Sequence, residues 1–239
     1  DPAEAESAAV LERSLRRHAS EPLEIFMLKR QELTEVFGYD GVEFQPPADP
    51  EVIVRPYSTE FAYTRFLVPW LCGYKGWALF MDCDIACLGD VCQVFRYGLP
   101  SLALVCVQHV FRPTTDIKMD GKKQAGYFRK NWSSVMLLNC EALQLWSKQQ
   151  VETGSPADLH GFKGIPDADI GRLPYRFNEV CEPQDDTVLY HYTEFNPCHN
   201  PGRHPHEDLY LRERAFLQDW NAGVRASEDQ KPARLAKEH

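Results

Sequence analysis

Asp82 and Asp84, separated by Cys83, follow directly on the apolar run Trp77–Met81. In an extended chain, residues two apart project to the same side. Both carboxylates can therefore converge on one hard cation. Mg2+ and Mn2+ take oxygen ligands at about 2.1 Å, commonly one or two carboxylates completed by substrate phosphates. The chemistry such a pair serves is the departure of a diphosphate, whose growing charge a bound cation stabilises. Two acids at the end of a buried strand must be paired or suffer desolvation and mutual repulsion, which argues for a site here. A polar strand end left in water is the alternative reading of the same residues.

Other side chains can contribute. Arg65 offers a planar fork suited to a phosphate or a sugar hydroxyl, and it is equally readable as a surface Arg on an amphipathic helix. His191 lies inside the apolar run Val188–Tyr192, where a lone histidine is more often a packed residue than a ligand. Ser133 and Ser134 stand at a strand start with no base-bearing motif beside them, so they are read as positions of close approach and not as nucleophiles. Trp132 can stack on a sugar ring or simply pack. Asp167 and Asp169 are loop acids, solvated by default. Asp90 is expected to cap the turn after it. His199, His204 and His206 cluster in a Pro-rich loop, read as solvated in preference to a second metal site. Lys163 and Arg203 are cations in the later loops.

These residues need elements to hold them. Ala8, Leu11, Leu15 and Ala19 recur at helical spacing between Ala3 and Ser20, and Glu21-Pro22 ends that helix. Leu23–Leu28 reads as a short strand. Residues 38–56 read as loop. Ser58 or Thr59 can cap a helix bearing Tyr63, Phe66, Leu67, Trp70 and Leu71, which Pro69 must kink or shorten. Trp77–Met81, Leu102–Val107, Val135–Leu138 and Val188–Tyr192 read as buried strands. A helix carries Ala142, Leu143, Trp146 and Gln150; residues 152–174, rich in Gly, Pro and Asp, read as a long loop. Glu207–Trp220 reads as a helix with Leu209, Phe216 and Trp220 on one side, and the polar tail from Ser227 is expected to fray. Short buried strands alternating with helices imply an α/β fold with a mixed, mostly parallel sheet flanked by helices. In such sheets ligands gather beyond the carboxyl ends of strands, and the residues just past Met81 occupy such a place.

The 239 residues, 44% hydrophobic and 12% aromatic, suit one globular domain with a full core. A formal net charge of −9 with no basic stripe argues against nucleic acid as a partner. No window approaches the ~18 uninterrupted apolar residues of a membrane span, and no secretion signal is read. The eight cysteines contain no CxxC pair, so zinc is disfavoured and reduced thiols in a cytoplasmic protein are expected.

With these segments in view, the chain resembles glycosyltransferases of the GT-A fold, of the glycogenin and lipopolysaccharide-galactosyltransferase type and their bacterial relatives. Five matches carry the resemblance, in order along the chain. Tyr63-Thr-Arg65-Phe-Leu-Val-Pro69 is similar to the helix before the metal motif, whose Arg touches the donor. Trp77–Val91 resembles the D-x-D strand and its following L-G-D. Asn131-Trp-Ser-Ser-Val-Met-Leu-Leu-Asn139 resembles the family's small-residue strand. Leu173-Pro-x-x-Phe-Asn178 resembles the segment after the acceptor loop, and His191-Tyr-Thr-Glu the late strand whose His is the third metal ligand. Asp1–Ala8 is similar to the text after the family's first strand, so the resemblance implies that this strand and part of the uridine pocket are lacking, with an unpaired sheet edge left behind. After His191-Tyr-Thr, the chain has Glu194-Phe-Asn-Pro-Cys198 where the family usually shows Gly-rich text and Pro-Trp.

The resemblance implies a metal-dependent hexosyltransferase acting on a UDP-sugar donor and a hydroxyl acceptor, with retention of configuration. Asp82, Asp84 and His191 would hold Mn2+ or Mg2+; Arg65 would steady the donor; Trp132, Ser133, Ser134, Asp167, Asp169 and Asn178 would meet substrate. One catalytic domain over residues 1–224 and a disordered tail over 225–239 are expected. A catalytically impaired relic or binding module of the same fold is the second reading. A phosphohydrolase is the third; its motif also puts D-x-D after an apolar strand, but normally with Thr or Val where Ala86 stands, and near the chain start.

Overall fold

The computed structural model describes residues 2–29, 62–110 and 129–229, with side chains described as far as residue 218. The elements are α1 (Ala5–His18), α2 (Val68–Leu71), β1 (Trp77–Met81), β2 (Ile85–Cys87), β3 (Leu104–Cys106), β4 (Val135–Asn139), α3 (Lys148–Thr153), α4 (Pro156–His160), β5 (Ile170–Arg172), β6 (Leu189–His191) and α5 (Glu207–Asp229).

Four strands form one sheet in the order β1-β4-β3-β5, and β2 pairs with β6 apart from it. The sheet is mixed, as expected, but not mostly parallel among the described residues. β4 runs against β1 and β3, β6 against β2, and only β3 and β5 run together. This direction of β4 decides where a site can be. Met81 faces Val135, Cys106 faces Met136, and Cys106 also faces Arg172. The carboxyl ends of β1, β3 and β5 and the amino end of β4 therefore share one edge.

β4, paired on both sides, is buried at all five positions. β1, expected to be buried, is half-buried throughout, because it is the outer strand of this sheet among the described residues. One face packs Phe66, Leu67, Met136, Leu138, Trp146 and Phe162 together; the other packs Leu11, Leu15, Ile85, Val105, Leu137 and Leu189.

Several elements differ from the sequence expectation. The buried face of α1 is Ser7, Val10, Leu11, Ser14 and Leu15 in place of Ala8, Leu11, Leu15 and Ala19. Ser14 is satisfied there: its hydroxyl donates to the Leu11 carbonyl at 2.9 Å and accepts from the Cys87 N–H at 3.3 Å, joining helix to β2. Residues 23–28 form no strand; Leu23 and Ile25 pack against the core while Arg16 takes the Leu23 carbonyl at 3.0 Å. Ser58 and Thr59 lie outside the described residues, as does the loop over 38–56. The helix expected around Pro69 is a 3-10 turn, Thr64–Leu67, followed by the single turn of α2, where Pro69 is tolerated because a first-turn N–H has no helical acceptor. The helix expected around Trp146 is split: Cys140–Leu143 is 3-10, and Ser147 caps a separate α3 by accepting from the Gln150 N–H at 3.2 Å. The expected loop 152–174 contains α4 and β5. Ser155 accepts from the Asp158 N–H at 3.1 Å and Pro156 opens the helix, a start signal hidden by its Gly- and Pro-rich surroundings. α5 runs past Trp220, and its buried residues among those described are Tyr210 and Glu213, whereas Phe216 is 41% exposed. Glu213 is fully buried because the Arg17 guanidinium of α1 pairs with it.

Candidate active site

The shared sheet edge carries Asp82 directly after β1. Its N–H donates to the Ser134 carbonyl at 2.9 Å, continuing the β1–β4 ladder by one bond. The chain then turns at Cys83 and Asp84 into β2, whose Ile85 faces His191 of β6. That ladder brings a histidine more than a hundred positions away in sequence to the acid pair. One ligand atom each from Asp82, Asp84 and His191 lie within 4.8 Å of one another.

Asp82 and His191 are each held by a second residue. The Arg65 guanidinium grips Asp82 with both arms, Nη2 to Oδ1 at 2.8 Å and Nη1 to Oδ2 at 3.1 Å. Its Nη1 also donates to the Ser133 carbonyl at 2.9 Å, and its Nε to the Ala62 carbonyl at 2.9 Å. His191 Nδ1 lies 3.0 Å from Asn178 Oδ1. The Asn178 amide donates to Ser134 Oγ at 2.9 Å, and that hydroxyl donates to the Asn131 carbonyl at 2.7 Å. Asn131 itself is left-handed, with φ at 63°, a conformation asparagine tolerates better than most residues.

Because the Asn178 amide nitrogen is committed to Ser134, its oxygen must face the imidazole. Nδ1 of His191 therefore carries the proton, and in the neutral ring Nε2 presents a lone pair. Nε2 lies 3.2 Å from Asp84 Oδ1, a buried oxygen with no aligned hydrogen bond. Two facing lone pairs at that distance repel unless a proton or a metal ion lies among them. The electrostatics agree. Burial alone would lower the His191 pKa, but the Asp84 carboxylate and then Asp82 outweigh it and raise it. Burial works to raise Asp84, yet His191 pulls it below its usual range. Burial raises Asp82, and Asp84 adds to that, against the opposing charge of Arg65. Two carboxylates and an imidazole whose other nitrogen is hydrogen-bonded make a donor set that fits Mn2+ or Mg2+, with positions left for ligand oxygens.

The remaining predicted residues fall around this centre. Ser133 Oγ lies 2.7 Å from His160 Nδ1 of α4, and burial, then Arg65, pushes that imidazole down to about 3, too low for a useful base. Ser133 and Ser134 are thus members of a polar network. Trp132 donates its indole N–H to the His109 carbonyl at 3.0 Å. Asp167 is highly exposed and pairs with the Arg129 guanidinium; Asp169, half-buried, accepts from the Ala103 N–H through its carbonyl at 2.8 Å. These two acids precede β5 and are not part of the network. Lys163 pairs with Asp158 at 3.1 Å and the Arg203 guanidinium lies 4.5 Å from the centre of the Phe195 ring. His199 pairs with Glu4 and His206 with Glu182; the rings of His204 and His206 lie 5.9 Å apart, and among the described residues the late histidines form no metal-holding group. Asp90 caps its turn as expected, accepting from the Cys92 N–H at 3.1 Å. Sequence reasoning missed His160, Arg129 and His109; the first two lie in segments whose local pattern carried no signal.

No protein-family model matches the chain. Protein CDI of Arabidopsis thaliana is 33% identical over 232 residues, covering 92% of this chain and 85% of that protein. The chain belongs to the Protein CDI family. Solved structures give this CDI family member its fold. The galactosyltransferase LgtC, in complex with donor and acceptor sugar analogues, matches with a TM-score of 0.53 at 13% identity, over 91% of this chain and 95% of that one. Mouse xyloside xylosyltransferase 1 matches with a TM-score of 0.50 at 15% identity, over 84% and 94%. The glycosyltransferase GlyE of Streptococcus pneumoniae TIGR4 matches with a TM-score of 0.51 at 12% identity, over 93% of this chain and 62% of that one. The fold is the GT-A fold, as the resemblance implied, in a mixed α/β architecture. Among the described residues, no helix is long and apolar enough to cross a membrane.

Proposed function

We propose that this chain is a metal-dependent glycosyltransferase that moves a hexose from a UDP-sugar to an acceptor hydroxyl with retention of configuration. The observation that carries the reading is the convergence of Asp82, Asp84 and His191 at the end of β1, in a fold shared with sugar transferases. In this reading the three residues hold Mn2+ or Mg2+. Such a cation, when bound, neutralises the diphosphate as it leaves. Arg65 fixes the Asp82 carboxylate and leaves its remaining N–H toward the donor. Asn178 holds His191 in the tautomer that offers Nε2. Trp132, Ser133, Ser134 and Asn178 line the sugar pocket, and Asp167 and Asp169 meet acceptor hydroxyls from the segment before β5. Residues 1–224 act as one catalytic domain, followed by a tail over 225–239. Eight free cysteines support a reducing, cytoplasmic setting.

The test is calorimetric titration of the folded chain with UDP, with and without Mn2+, followed by turnover of UDP-hexoses. Metal-dependent binding at micromolar strength supports the reading. Folded protein that binds UDP under neither condition overturns it.

A further inference from the structure

Two cysteines meet at the end of the sheet away from the metal group. Cys72 follows α2 directly, and its N–H donates to the Val68 carbonyl at 3.0 Å, closing that single turn. Cys140 follows the last residue of β4. The chain from Cys72 to Gly76 turns into β1, and both ends of this turn lie on Cys140. At one end the two thiols are hydrogen-bonded to each other. At the other the Cys140 N–H donates to the Gly76 carbonyl at 2.9 Å. Gly73, Tyr74 and Gly76 are left-handed, with φ at 59°, 55° and 66°. A left-handed tyrosine is uncommon; here its N–H is held by the Pro69 carbonyl at 2.8 Å. The turn is thus fixed in the form that sets Cys72 against Cys140.

The two thiols are unlike. Cys72 is exposed and Cys140 is fully buried. The hydrogen bond from Cys140 holds the Cys72 thiol down to about 7, against the opposing effect of burial, so a large share of it is thiolate at neutral pH. The same bond, and then burial, pushes Cys140 far up, so Cys140 keeps its proton. Burial alone pushes the core thiols Cys87 and Cys106 up to about 12, where they are inert. A thiolate within reach of solvent, with a second sulfur behind it, is the arrangement that reversible thiol oxidation needs.

We propose that Cys72 is a site of oxidation by hydrogen peroxide and that Cys140 resolves the product into a Cys72–Cys140 disulfide. The Cys72 thiolate attacks one peroxide oxygen. An S–O bond forms as the O–O bond breaks, and the departing hydroxide takes up the proton that Cys72 had released. The Cys140 sulfur then attacks the Cys72 sulfur. The S–S bond forms as the S–O bond breaks, and hydroxide leaves with the Cys140 proton as water. Two thiols lose two electrons and hydrogen peroxide gains them, giving two waters. The first cause of the raised Cys140 pKa is its bond to the Cys72 sulfur, and conversion of that sulfur to an uncharged sulfenic acid removes this cause before the second step. The chemistry needs neither sugar donor nor metal.

The full chain, reduced and freed of reductant, is treated with a few equivalents of hydrogen peroxide, blocked with iodoacetamide and mapped by peptide mass spectrometry. A linked pair of peptides carrying Cys72 and Cys140 should appear and should vanish with dithiothreitol. In Cys140→Ala, dimedone should label Cys72 in place of the link. Iodoacetamide should alkylate Cys72 of the unoxidised chain with a midpoint near pH 7, as its lowered pKa requires. In Cys140→Ala that midpoint should rise by at least about one pH unit, toward or above an ordinary thiol's value. Folded wild-type protein that forms no such link, links that join other cysteines as often, a Cys140→Ala chain whose Cys72 takes no dimedone, or one midpoint for both chains overturns the proposal. If Cys140→Ala fails to fold, Cys72→Ala, at an exposed position, decides: it should leave Cys140 unlinked and unlabelled by dimedone, and Cys140 oxidised there as readily as in wild type overturns the order of the two steps and with it the site.

Discussion

At the β1 end of the sheet edge, the polar side chains are tied to one another. Arg65 holds Asp82, Asn178 holds His191, and Ser134 holds Asn178. At the β3 and β5 end the contacts are between rings, Tyr175 is half exposed, and His109 keeps an unpartnered nitrogen. The two ends face different physical problems. A cation and a diphosphate need dipoles fixed before the ligand arrives, since reorganising charge inside a protein is expensive. Rings packed edge to face are held mainly by buried area, and they tolerate a looser frame. Substitutions at the first end should act through charge and order, and those at the second through contact area.

The largest effect should come from the clamp itself. Arg65→Leu strips a mostly buried aspartate of its only guanidinium partner among the described residues; the two side chains are 10% and 22% exposed. Breaking such a pair by removing one member costs several kcal/mol. The remaining exposure of Asp82 sets the expectation at about 3 kcal/mol, read by denaturant unfolding of the metal-free chain. Added Mn2+ should restore part of the loss, because it supplies Asp82 with a positive neighbour again. A variant as stable as wild type would show that Arg65 serves the donor and not the acid pair.

Next is the acid that touches the orphaned geometry. Asp84→Ala should lower UDP-sugar turnover by about a hundredfold or more, roughly 3 kcal/mol of transition-state stabilisation. Unchanged turnover would sink the metal mechanism. Asn178→Leu should be milder, since it leaves all three ligands and removes only the partner that sets the His191 tautomer. Loss of such an outer hydrogen bond typically weakens metal binding about 10–100-fold. Mn2+ titration of the purified chain would measure it, and wild-type affinity would mean that the ring is held by packing alone.

These contrasts also explain what could be read in advance. Asp82 and Asp84 were legible because period two on a strand end is a local pattern. His191 was not legible on its own, since a histidine in an apolar run looks like packing; only the β2–β6 ladder, or the family resemblance, joins it to the pair. The network behind it depends on Asn131 adopting positive φ and on Ser134 bonding back to it, which no spacing rule encodes. The mixed sheet was foreseeable, but the reversal of β4 was not: apolar runs give strand positions and not directions. For the same reason Trp77–Met81 and Val135–Asn139 look alike in sequence while only the doubly paired strand is fully buried.

The smallest effect is the pH dependence of the metal end. His191 has its pKa raised above 6.5 by Asp84 and Asp82, so in the metal-free chain the proton on its ring stabilises the fold. That contribution is fully present below about pH 6.5 and is lost as pH rises through the raised folded value. A metal ion needs the same nitrogen unprotonated. Mn2+ affinity should therefore increase about tenfold per pH unit up to that folded value and level off above it. Asn178→Leu should keep this slope while lowering the plateau, because it alters ligand orientation and not the competing proton. His191→Ala should flatten the slope altogether. An Mn2+ affinity that is flat between pH 5.5 and 8 in the wild-type chain would remove His191 from the metal's ligands and leave the two aspartates as an incomplete site.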